Sequence, residues 1–138
     1  MTDLSEFRRV CHETARRTRG RIVEFRIADG VTSNFHQCVL DHGGHRVSIV
    51  CTRERPEPVV AVAEPRVIDA TAVDEGPLTF VEAPELVAVL AEFTAFRVLT
   101  PAELAGPFDA RTWPGCHPAD LRYWRPGDLG EVLFNYWD

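Results

Sequence analysis

Residues 21–52 read RIVEFRIADGVTSNFHQCVLDHGGHRVSIVCT, three runs of alternating apolar and polar residues broken at Asp29-Gly30 and at Gly43-Gly44. Alternation with a period of two is the pattern of a strand with one buried face, and both breaks are residue pairs that a two-residue hairpin turn demands. The stretch predicts an antiparallel meander. A two-residue loop at 29–30 sets Val23 opposite His36 and Phe25 opposite Asn34. One at 43–44 sets Leu40 opposite Val47, Cys38 opposite Ile49 and His36 opposite Cys51. Both registers then place Val23, Phe25, Ile27, His36, Cys38, Leu40, Val47, Ile49 and Cys51 on one face, the expected core side. Glu24, Arg26, Gln37, Arg46 and Ser48 fall on the other.

Upstream of the meander, Leu4, Phe7, Cys11, Ala15 and Thr18 recur at spacings of three and four, the stripe of an amphipathic helix over residues 3–18. Thr2 or Asp3 is its expected cap, and Gly20 its expected left-handed stop. Downstream, after the connection RERPEP, Val59–Ala63 is expected as a fourth strand and Arg66–Asp74 as one more extended piece. Pro84 opens a second helix whose stripe is Leu86, Val89, Leu90 and Phe93. Thr100-Pro101-Ala102-Glu103 has the capping-box pattern of a short helix that Gly106-Pro107 stops. Two aromatic runs, LRYW (121–124) and GEVLFNYW (130–137), flank Arg125-Pro126-Gly127-Asp128 and read as a terminal hairpin. The expected fold is one α+β domain over residues 1–138: N-terminal helix, antiparallel meander of three to four strands, second helix, C-terminal aromatic β-hairpin.

With 138 residues, 45% hydrophobic and 26% charged, the chain is long and apolar enough to bury a core, which excludes a disordered protein. Its net charge of -6 is uneven. Residues 1–26 carry seven arginines against four acids, whereas residues 27–138 carry eight arginines against 17 acids. Every lysine or arginine position is arginine; the missing lysine resembles the codon bias of a GC-rich bacterial genome, an expectation that bears on origin only. No apolar run approaches the roughly 18 residues of a membrane span, and MTDLSEFRRV lacks the apolar core of a secretory signal, so a cytoplasmic protein with four free cysteines is expected.

No glycine-rich phosphate loop, nucleophile elbow, Cys-x-x-Cys or His-Glu-x-x-His is present, and no cofactor is expected. His42 and His45 face each other across the Gly43-Gly44 tip, but two ligands are too few for a metal ion. His36 lies about 20 Å down the strand, so no metal site is expected. Cys51 and His36 are cross-strand neighbours and form a conceivable Cys-His pair, yet on a core face the dull reading is a small buried hydrophobe beside a hydrogen-bonded core histidine. Cys116-His117 sits in the proline-braced loop TWPGCHPAD, where a thiol is reachable; the dull reading is a loop that packs Trp113 onto the domain.

Two features point to a binding surface. Arg16, Arg17 and Arg19 end the first helix on its solvent side, where a phosphate backbone or an acidic partner would dock and where pairing with the chain's own acids is the plainer outcome. An acidic protein of pI near 5.3 argues against nucleic acid. The C-terminal segment holds Trp113, Tyr123, Trp124, Phe134, Tyr136 and Trp137, residue types that anchor interfaces and equally fill cores. The expected function is therefore a small acidic cytosolic protein-binding module, immunity-like, antitoxin-like or chaperone-like, with Arg16, Arg17, Arg19, Trp113, Trp124, Tyr136 and Trp137 meeting a protein partner of basic surface. It is expected to be no enzyme and to bind no membrane; self-association is compatible with it. The competing expectation is a small-ligand binder or enzyme using His36, Cys51, Cys116 or His117 between sheet and helices.

Overall fold

The computed structural model describes residues 1–29, 33–66 and 77–136. The fold is α+β, in the order α1 (Leu4–Arg17), β1 (Arg21–Arg26), β2 (Phe35–His42), β3 (His45–Thr52), β4 (Val59–Ala63), α2 (Pro84–Leu90), β5 (Arg97–Val98), α3 (Pro101–Leu104), α4 (Pro118–Trp124) and α5 (Leu129–Leu133). The five strands form one sheet in chain order, antiparallel except that β5 runs parallel to β4.

Helix α1 begins where the Asp3 carboxylate accepts the Glu6 N–H (3.2 Å) and buries Phe7, Val10, Cys11, Thr14 and Ala15. Arg19, not Gly20, takes the left-handed position at φ 60°, and the Gly20 N–H closes the helix on the Ala15 carbonyl (2.8 Å). Gly20 serves space instead: a Cβ there would stand 3.1 Å from the Asp41 carbonyl oxygen.

The β2–β3 hairpin has the expected register, from Phe35 opposite Thr52 to His42 opposite His45. Gly43 and Gly44, at φ 60° and 81°, make the turn that only two consecutive positive-φ residues permit. The β1–β2 register differs from expectation. Phe25 lies opposite Cys38 instead of Asn34, and pairing stops at Arg26 opposite Gln37. A long connection replaces the two-residue turn at Asp29-Gly30, of which Gly30 lies outside the described residues. Within it the Ala28 N–H donates to His36 Nδ1 (3.0 Å), so a side chain takes over where the ladder ends. The slip along β2 is an even number of residues, which keeps Phe25 on the core side. A bulge between Ile22 and Glu24 then turns Ile22 inward and leaves Val23, expected in the core, exposed. With that bulge and with Arg21, Glu24 and Arg26, β1 is a poor template for another strand.

Both faces of the sheet are covered. On one face, Phe7, Val10 and Cys11 of α1 and Leu86 and Leu90 of α2 pack on Cys38, Leu40, Ile49, Cys51, Val60 and Val62 of the sheet. The opposite face, expected to be polar, packs Phe35, Val50, Val59, Ala61 and Ala63 against Leu99, Leu104, Trp113, Leu129, Leu133 and Phe134. Gln37 and Ser48 are buried there because they bond each other (3.3 Å) and the Arg66 N–H donates to Gln37 Oε1 (3.2 Å). Beyond Arg66, the extended piece expected to Asp74 lies outside the described residues.

The expected terminal hairpin is not found among the described residues; helices α4 and α5 stand in its place. Pro118 at the first turn of α4 follows the His117 cap, and Asp128 caps α5 by accepting the Glu131 N–H (2.9 Å) while Glu131 reaches back to the Gly127 N–H. Leu129, Val132 and Leu133 bury one helical face.

Candidate functional site

The C-terminal layer carries residues that are both chemically suggestive and accessible. Helix α4 buries none of its residues. It starts at His117, whose Nδ1 accepts the Ala119 N–H (3.1 Å), and stops at Arg125, forced to φ 47°. At its exposed end Tyr123 and Trp124 meet edge to face with centroids 4.9 Å apart, and 77% of Tyr123 and 38% of Trp124 are open to solvent. Arg122 and Arg125 are exposed beside them.

At the start of α4 a cleft of about 330 Å³ brings Cys116, His117 and Asp120 together with Asn34, Arg55 and Asn135. Its floor is tied down: Asn34 Nδ2 donates to the Leu133 carbonyl (3.1 Å) and Asn34 Oδ1 accepts the Asn135 N–H (2.8 Å). Arg55 donates to the Pro114 carbonyl (3.4 Å). With Nδ1 committed to the helix cap, only Nε2 of His117 remains for a ligand. Half-buried Cys116 is the accessible thiol of the protein, since Cys11, Cys38 and Cys51 are fully buried. Iodoacetamide at neutral pH is expected to modify one cysteine in the folded protein, Cys116, and all four after unfolding; a second fast thiol in the native state, read by peptide mass mapping, contradicts this burial.

His36 and Cys51 are neighbours as expected, opposite each other in the β2–β3 ladder, but they are sealed beneath α1. Cys51 Sγ donates to the Thr52 carbonyl (3.4 Å), and burial pushes its thiol up to about 12. Burial likewise pushes Cys11 up, with Cys38 beside it adding to the effect. Burial, with the Arg53 charge added, pushes His36 below its ordinary 6.5. A raised thiol beside a lowered imidazole is the reverse of a thiolate-imidazolium pair, so this arrangement holds structure rather than a nucleophile. The unfolded chain protonates His36 more readily than the folded one. Its contribution is therefore complete above 6.5 and is lost as pH falls through the lowered native value. Replacing His36 with Asn, whose Oδ1 still accepts the Ala28 N–H, is expected to flatten the decline of the urea midpoint between about pH 7 and pH 5. An unchanged slope contradicts the assignment.

The arginines of α1 lie outside, mostly matched. Arg9 pairs with Glu6, Arg16 with Glu13, and Arg17 reaches Glu92 (2.6 Å) beyond α2; Arg8 lies over the Phe25 ring (4.9 Å). Arg19 is exposed at the helix end. Trp113 is buried, with Arg97 and Arg55 over its ring at 4.5 and 5.3 Å. Tyr136 packs edge-on against Phe35 (5.5 Å), and Trp137 lies outside the described residues. Of the expected aromatic anchors, then, Trp124 faces solvent, and Tyr123 of the same aromatic zone joins it. A period of 3.6 over residues 118–124 would have placed Tyr123 on the outside.

At the other end of the sheet His42 Nε2 lies 3.1 Å from Glu85 Oε2. Among the described residues no three His, Cys, Asp or Glu side chains are placed to hold a metal ion, and no helix is long and apolar enough to cross a membrane. No family model matches the chain, and neither a curated protein nor a solved structure matches it.

Proposed function

We propose that the chain is a small protein-binding module of the immunity-protein, antitoxin or chaperone kind. The observation that carries this reading is the Tyr123–Trp124 pair on a helix that buries none of its residues. Large exposed rings cost solvation unless something covers them, and Trp, Tyr and Arg are the side chains that most often supply binding energy at a protein interface. The occupant is a protein with an apolar cleft for the two rings and a basic surface overall, because a net charge of -6 steers an oppositely charged partner into encounter. Filled cores on both sheet faces support binding by surface over binding in an internal pocket.

The test is affinity purification from the source organism, then isolation of the captured protein and measurement of its Kd. Tyr123→Ala with Trp124→Ala is expected to weaken binding by about 30-fold or more. Arg16→Ala, Arg17→Ala and Arg19→Ala together should change chiefly the association rate and its salt dependence. A partner that binds the aromatic variant as tightly as the wild type, or no enriched partner at all, overturns the reading.

The second reading, a small-ligand or thiol-dependent site, is favoured by the cleft that gathers Cys116, His117 and Asp120. It requires Cys116 to react with iodoacetamide faster than a free model thiol; a rate no faster removes it.

A further inference from the structure

The β2–β3 turn and the start of α2 enclose a groove of about 440 Å³, a size within the range of about 300–1,000 Å³ that ligand pockets occupy. Val47, Val81, Ala83 and Pro84 make an apolar floor, and Glu64, Glu82 and Glu85 stand at the rim with His42, His45 and Arg46. Two carboxylates at this rim are unmatched among the described residues. Arg46 shares the Asp41 carboxylate on β2 with Arg21 (3.1 Å each), Glu85 meets a histidine, and Glu64 and Glu82 are exposed with no ion pair among the described residues. Residues 30–32, 67–76 and 137–138 contain no basic residue that would add one. On and beside α1 the opposite holds, where Glu6, Glu13 and Glu92 are each taken by an arginine.

We propose that this groove binds a basic segment of a partner protein, an arginine or lysine side chain lying along the apolar floor with its charged head at the carboxylate rim. Long basic side chains suit such a site because their aliphatic stems bury against apolar surface while the charge stays at a wet edge. A bare metal ion gains nothing from that floor, and the carboxylates and imidazoles are not gathered to ligate one. Guanidinium or ammonium heads take exposed carboxylates by charge-assisted hydrogen bonds, and apolar contact with the floor selects a side chain over a free counterion. The proposal rests on the reading of the chain as a protein-binding module for the source of the segment alone.

It is tested on the full chain by titrating the ¹⁵N-labelled protein with a capped hexa-arginine peptide, with hexa-glutamate and spermidine as comparisons. The expected result is a saturable shift of the Val47, Val81, Glu82, Ala83 and Glu85 amides by the arginine peptide. Glu64→Gln with Glu82→Gln is expected to weaken binding about tenfold. Glu54→Gln with Glu57→Gln removes the same charge at the far end of β3 and should change binding by less than about twofold. Both double variants alter exposed carboxylates, and an unchanged urea midpoint verifies their folding. Shifts spread over the whole acidic surface, equal weakening by the two double variants, spermidine binding as tight as the peptide, or no saturable shift overturns the proposal. Because no natural partner enters the titration, its failure leaves the Tyr123–Trp124 result standing, and failure of the latter leaves the groove's chemistry standing.

Discussion

Replacing Trp113 with alanine is expected to destabilise the protein by about 3–5 kcal/mol, a large share of the roughly 5–15 kcal/mol that holds a domain of this size together. Trp113 is 7% exposed and lies in the cluster that joins the C-terminal layer to the back of the sheet, among Phe35, Val50, Leu99, Leu104 and Leu133. Truncation removes the ring from that cluster and leaves a cavity, and it also takes away the surface on which the Arg97 and Arg55 guanidinium groups rest. Trp124 gives the internal comparison. Its ring lies on a helix with no buried residue, so Trp124→Ala should stay within about 1 kcal/mol of wild type. Urea unfolding followed by circular dichroism measures both, and a Trp113→Ala midpoint no lower than that of Trp124→Ala would sink the distinction between a core and a surface tryptophan.

The same comparison shows what the sequence made legible. The β2–β3 register was readable because Gly43-Gly44 fixes the turn and the strands on both sides agree on one face. Asp29-Gly30 looked equally decisive, but a turn pair fixes register only where the ladder runs up to it, and here pairing ends at Arg26 and Gln37. The second buried face was hidden by Gln37 and Ser48, polar residues that satisfy each other and the Arg66 N–H instead of facing water. Its signal was the run Val59–Ala63, apolar at every position as a strand covered on both sides must be. At the C-terminus the aromatic run GEVLFNYW reads as a strand, yet the same stretch carries a helical signal: Leu129, Val132 and Leu133 at spacings of three and four behind the cap pair Asp128 and Glu131. Of the candidate site, Cys116, His117 and Trp124 are legible in the sequence. Asp120, Asn34 and Asn135 are not, because tertiary packing alone brings Asn34 beside Asn135.

The charge asymmetry also takes a different meaning in three dimensions. The arginine-rich N-terminal segment suggested a basic face, yet Arg9, Arg16, Arg17, Arg21 and Arg26 each meet a carboxylate of the chain. Glu64 and Glu82, which meet no cation among the described residues, stand instead at the rim beside the β2–β3 turn, next to Glu85 and its partner His42. The rim carboxylates thus stand exposed to solvent, and the arginines of α1 serve mainly to neutralise their neighbours.

On the other side of the sheet, Phe7→Ala is expected to cost about 3–5 kcal/mol. The Phe7 ring is fully buried and meets Phe25 and Phe96 edge to face, each at 6.2 Å, with His36 at 6.3 Å. It is the one large ring that α1 sends into this core, so its loss opens the contact between the helix and the strands carrying Phe25 and His36 while leaving the Trp113 cluster intact. Two readouts separate this outcome from a general loss of stability. Cys11, Cys38 and Cys51 lie in the same core as Phe7, and their alkylation under native conditions should accelerate in Phe7→Ala more than in Trp113→Ala. His36, held low chiefly by burial, should return toward its ordinary 6.5 when water reaches the vacated space, moving the onset of acid destabilisation. Equal thiol protection in the two variants would mean that the sheet's two faces open as a single unit, and that α1 is held by more than the side chains it buries.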